Sequence, residues 1–156
     1  MSRRKCACCW PGSLAALARH RYGFTDRLTA GFVAEADSRT QSAGPTVNIR
    51  LAAGELGLAA SASRADGATG GSVAVGYTYL GRPFNVSATL RSMTGHYTTL
   101  TIGQGLNRAR IEASGMIGAQ LSRRVSLSLQ HAVSSPYNQP TSLRTSLVGS
   151  VSLGRR

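Results

Sequence analysis

Strict alternation of apolar and polar side chains, repeated segment after segment, constrains this chain more than any other feature. In an extended strand successive side chains point to opposite faces, so a period of two describes a ribbon with two chemically different sides. Leu28, Ala30, Phe32, Ala34 and Ala36 share one parity, and Thr29, Gly31, Val33, Glu35 and Asp37 share the other. Val47, Ile49 and Leu51 alternate with Asn48 and Arg50, then Leu56, Leu58, Ala60 and Ala62 with Gly57, Ala59, Ser61 and Ser63. Val73 to Tyr79, Phe84 to Leu90, Ala109 to Ala119, Val125 to Leu129 and Leu143 to Leu153 complete the series. The pattern predicts an all-β chain of about eight strands, because a period of 3.6 would mix the two classes on every face.

Charge placement sharpens the expectation. Arg50, Arg91, Arg110, Glu112 and Arg144 fall on the parity of Ser, Thr, Asn and Gln, whereas Val47, Ile49, Val73, Val75, Leu127 and Leu147 lie on a parity free of mid-strand charge. One face suited to lipid and one suited to a watery lumen is the pattern of a transmembrane β-barrel. The first set is therefore expected to face a lumen and the second set lipid. Arg64 and His131 break the apolar parity and are expected at strand ends, where a long or amphipathic side chain reaches the interface. A soluble sheet packed on a core is the competing reading, but no helical segment or second sheet is in view to cover the apolar face.

Composition agrees with an unusual solvent: charged residues make up 15% of 156 positions, below the quarter typical of soluble domains. No run of about 18 apolar residues exists, which excludes a membrane-spanning helix and leaves a spanning barrel open. Segments of about nine to thirteen residues suit a tilted crossing. The connections read as alternately long (37–45, 65–71, 93–107, 134–141) and tight (53–54, 80–83, 121–124), which predicts an antiparallel up-and-down meander with its short turns at one end.

Residues 1–20 read differently. Arg3, Arg4 and Lys5 precede a mildly apolar stretch ending in Ala16-Leu17-Ala18, which fits a secretory leader; a non-homologous segment from an upstream start is the alternative. All three cysteines (Cys6, Cys8, Cys9) lie here, so the remaining chain has no thiol for a disulfide framework or zinc cage. A zinc site from these cysteines and His20 would lack the paired C-x-x-C spacing, and no metal or cofactor is expected.

Enzyme signatures fail. Lys5 is the sole lysine, so no Walker A loop is present, and Gly103-Gln104-Gly105 continues to Arg108 where a dinucleotide fold needs glycine. There is neither a G-x-S-x-G elbow nor an H-E-x-x-H helix. His20, His96 and His131 read as loop or interface residues, and the Glu35/Asp37 pair reads as solvated rim rather than an acid/base couple. No catalytic residue is assigned. The 18 Lys+Arg against 6 Asp+Glu give a net charge of +12, yet aromatics are 6% and no basic stripe interleaves with stacking platforms, so nucleic acid is not the expected partner.

Several blocks resemble a known family: Arg21-Tyr22-Gly23-Phe24-Thr25-Asp26-Arg27-Leu28-Thr29, Gly44-Pro45 entering a strand, Arg64-Ala65-Asp66-Gly67, and Tyr77-Thr78-Tyr79-Leu80-Gly81-Arg82-Pro83. In order and spacing they are similar to the translocation-pore region of fimbrial outer-membrane usher proteins, with residues 21–156 covering part of the barrel. The resemblance implies an outer-membrane protein of a Gram-negative bacterium that receives chaperone-bound pilus subunits from the periplasm and passes the growing fibre outward. It implies no covalent chemistry, since subunits join by exchange of a donor strand. Eight strands leave an interior filled by side chains, too narrow for a fibre. The resemblance therefore implies a fragment whose partners are the remaining usher strands and domains, membrane lipid, and chaperone–subunit complexes. A small autonomous eight-stranded barrel of structural or porin-like role is the first alternative, and a soluble basic nucleic-acid-binding module is the second.

Overall fold

The computed structural model describes residues 14–100, 109–122 and 124–152. They form nine strands: β1 (Ala16–Gly23), β2 (Leu28–Ala36), β3 (Thr40–Leu51), β4 (Gly54–Ala65), β5 (Ala68–Leu80), β6 (Phe84–Met93), β7 (Ala109–Gln120), β8 (Val125–Pro136) and β9 (Ser142–Val151). Each pairs antiparallel with the next, giving one open sheet in chain order in which β1 and β9 each have a single partner. Among the described residues there is no helix long and apolar enough to cross a membrane.

The all-β, up-and-down expectation holds, and the strand number rises from eight to nine. The extra strand is β1, which crosses the boundary drawn at residue 20 and includes Ala16-Leu17-Ala18. Its alternation escapes notice because His20 interrupts the apolar parity of Ala16, Ala18 and Tyr22, while Arg19 and Arg21 share the opposite parity with Leu17. Residues 1–13, with the cysteines and Arg3-Arg4-Lys5, and residues 101–108, with Gly103-Gln104-Gly105, lie outside the described residues.

The expected alternation of long and tight links is also corrected. Residues 37–39 form a tight turn, in which Asp37 Oδ1 accepts hydrogen bonds from the amides of Arg39 (2.7 Å) and Thr40 (2.5 Å). These two amides hold the Asp37 carboxyl below the usual carboxylate range, Arg39 contributing most. Asp66 and Gly67 close β4 and β5 with φ of 47° and 82°, the doubly positive geometry of a two-residue hairpin. The polar residues of 38–44 and 68–71 therefore belong mostly to strands, whose pairing persists through Gln41↔Arg64 and Ser63↔Gly70. Residues 94–100, after β6, belong to no strand.

Cross-strand pairing fixes the two faces. The apolar rows run Leu28–Ile49–Leu56–Tyr77–Ala88 and Ala30–Val47–Leu58–Val75–Leu90, and the polar rows include Ser42–Ser63–Gly70 and Ser61–Ser72. Burial then runs opposite to that of a water-soluble sheet. On β4 and β5, Ser63 and Ser72 are 5% and 9% exposed, while Val73 and Val75 are 57% and 38% exposed. Leu129, Leu143 and Leu147 are likewise exposed on the apolar side.

Candidate functional site on the polar face

The register places Arg50, Arg91, Glu112 and Arg144 on the polar face, and Val47, Ile49, Val73, Val75, Leu127 and Leu147 on the other. Arg110 departs from its row. A register shift between Ala109 and Ile111 leaves it opposite no residue of β8, and it borders a cavity shared with Pro45, Ala62 and Val73 of the apolar side. His131 is another correction. It sits in the middle of β8 rather than at a strand end, on the apolar face, with Nδ1 2.9 Å from Thr145 Oγ1. Arg64 stands one residue from the end of β4, as expected.

Opposite charges face each other at two points on the polar side: Arg50 lies across from Glu55, and Arg91 across from Glu112. Glu55 escaped the sequence reading because Gly54 hides the start of β4. Toward β9 the row Arg91–Glu112–Ser134–Ser142 runs beside Thr89–Ser114–Ala132–Arg144. Between these rows lies a cavity of about 380 Å³ lined by all eight residues.

The other half of the polar face is covered by residues 94–100, which turn back over the sheet. Thr94 exchanges hydrogen bonds with Gly71, its amide donating to Gly71 O (2.9 Å) and its Oγ1 accepting from Gly71 N (2.8 Å). Tyr97 Oη lies 2.5 Å from Ser61 Oγ, and Thr98 N donates to Ser63 Oγ (2.9 Å). At the far end Leu100 N donates to Glu35 Oε2 (3.2 Å). Glu35 is thus an anchor for this segment and Asp37 a turn acceptor, and the sequence pairing of the two carboxylates dissolves.

Gly70 makes the approach possible. A Cβ there would stand 2.2 Å from Tyr97 N and 2.3 Å from Tyr97 Cα, so any side chain would displace the segment. Tyr97 and Thr98 are 7% and 2% exposed, and together with Ser42, Ser63, Ala65, Ser72 and Met93 they make up the buried part of the described residues apart from Gly118 on β7. Beside them opens a second cavity of about 400 Å³, with Glu35 on one side, Arg91 on the other and a floor of Gly44, Ala59, Ser61 and Ala74. Sequence reading missed this assembly because Thr94 to Leu100 carries no alternation. The signal available was Gly70-Gly71 inside an otherwise regular strand, a mark of close backbone approach.

Among the described residues no group of three or more His, Cys, Asp or Glu is placed to hold a metal ion. Arginines, hydroxyls and small residues along a trough can bind or guide a polar solute. Family models, curated proteins and solved structures were each compared with the chain, and none matches it.

Proposed function

We propose that the chain is a stretch of outer-membrane β-barrel wall, its apolar face toward lipid and its polar face toward a lumen, and that it belongs to the pore of a fimbrial usher. The observation that carries the first part is the inverted burial on β4 and β5, where serines are enclosed and valines are bare. In water those valines, with Leu129, Leu143 and Leu147, would stand exposed on one face with no second layer among the described residues to cover them. Hydrocarbon suits them, and the antiparallel ladder satisfies the backbone groups between neighbouring strands.

The usher part rests on the order and spacing of the four sequence blocks. On this reading the chain takes part in exporting pilus subunits delivered by a periplasmic chaperone, and other strands complete the pore. Guiding and excluding, rather than bond chemistry, would be the work of the polar face.

Two experiments separate the parts. With Cys6, Cys8 and Cys9 replaced, single spin labels along β5 to β8 are scanned in lipid vesicles with a lipid-soluble and a water-soluble relaxer. Positions 73, 75 and 127 should respond to the first, and 87, 91 and 128 to the second; equal access on both parities ends the barrel reading. Photo-crosslinking to purified chaperone–subunit complexes tests the usher assignment by itself. Labels that alternate without any crosslink would leave a barrel wall of another kind.

A further inference from the structure

The cavity between β6 and β9 combines charge, hydrogen-bond donors and free space in a way the barrel reading does not require. Arg91 and Arg144 stand at its two sides, three strands and two residues apart, which places their Cα atoms about 16 Å apart on strand spacings alone. Side chains as long as arginine's can converge from that separation on one small group. The strands between them contribute Ser114 and Ser134, whose hydroxyls donate, and Ala132, whose methyl leaves the middle of its row open. Glu112 is the one carboxylate in the lining and faces Arg91 directly, so the cavity carries one more positive charge than negative.

We propose that this cavity is an oxyanion site that takes a phosphate or carboxylate group between Arg91 and Arg144. A guanidinium presents a planar fork of N–H donors matched to two oxygens of such a group, and two forks with flanking hydroxyls satisfy more of its acceptors than one. Glu112 stands across the strand from Arg91 and opposes an entering anion, which sets a modest affinity that changes readily when this carboxylate is altered. The site depends on the polar face alone and goes beyond the barrel and usher readings.

The full chain, folded in detergent micelles, is titrated with sodium phosphate at constant ionic strength while the arginine Nε–H resonances are followed. Saturable shifts are expected at Arg91 and Arg144, with Arg50, at the opposite end of the polar face, as the reference. Arg144→Gln should weaken binding by about tenfold. Glu112→Gln should tighten it by about threefold or more, because a repelling charge is removed. A repeat with sodium acetate distinguishes a carboxylate ligand from a phosphate, and the tighter binder names the class. Shifts that do not saturate, that are equal at Arg50, or that Glu112→Gln leaves unchanged or weakens would overturn the site.

Discussion

The two sides of β4 and β5 share one backbone yet live in different surroundings. On the polar side Ser61, Ser63 and Gly70 receive residues 94–100: Ser63 Oγ accepts from the Thr98 amide, and Ser61 Oγ meets the Tyr97 hydroxyl. On the apolar side Val73 and Val75 remain 57% and 38% exposed between their strand neighbours, with no hydrogen-bonded segment like 94–100 among the described residues laid over them. Burial in this molecule is therefore set by where one connection folds and not by the hydrophobicity of the residues it covers. Small polar side chains make that covering feasible, since each hydroxyl finds a partner and no large group is in the way.

The largest effect should come from placing the same charge on each side in turn. On the proposed barrel reading, Val75→Arg is expected to destabilise the chain in lipid vesicles by about 2–4 kcal/mol more than Ser87→Arg, measured by denaturant unfolding. Equal costs would erase the contrast between the faces. The adjacent glycines give a finer test, because one points to each side. Gly70→Val should cost about 1–3 kcal/mol through collision with Tyr97. Gly71→Ala, whose new methyl would lie 3.7 Å from Ser61 O, should stay within about 0.5 kcal/mol of the parent.

A smaller change, about 0.5–1.5 kcal/mol, is expected for Tyr97→Phe, which deletes the hydroxyl contact with Ser61. Faster hydrogen exchange at the Thr98 amide, with the ladder amides of β8 unaffected, would report it.

The smallest effect concerns the 37–39 turn, at the rim where neither face dominates. The folded-state pKa of Asp37 is depressed, so the turn's added stability is present above the ordinary carboxylate pKa and is lost as pH falls through the lowered value. The amide resonances of Arg39 and Thr40 should move together over that acidic range, and Asp37→Ala should abolish the movement.

Parity was legible in the sequence wherever a strand carried large apolar residues, as in Leu28–Ala36, Val47–Leu51 and Val73–Tyr79, because each side chain there must suit one medium. Boundaries were less legible. Thr40 to Gly44 reads as a loop by composition, and only the hydrogen bonds of Asp37 and the pairing with β4 extend β3 through it. Arg110 was assigned by counting, and a single bulge defeats counting. The covering segment left only the Gly70-Gly71 pair as a mark, since contacts such as that of the Leu100 amide with Glu35 join distant residues through backbone groups, which leave no trace on residue type.

One consequence of the strand number reaches beyond the chain's own contacts. In a meander that reverses at every turn, the first and ninth strands travel in the same direction, so stitching β1 directly to β9 would create a parallel seam in an otherwise antiparallel wall. A ring that alternates all the way round needs an odd number of further strands set between those two edges.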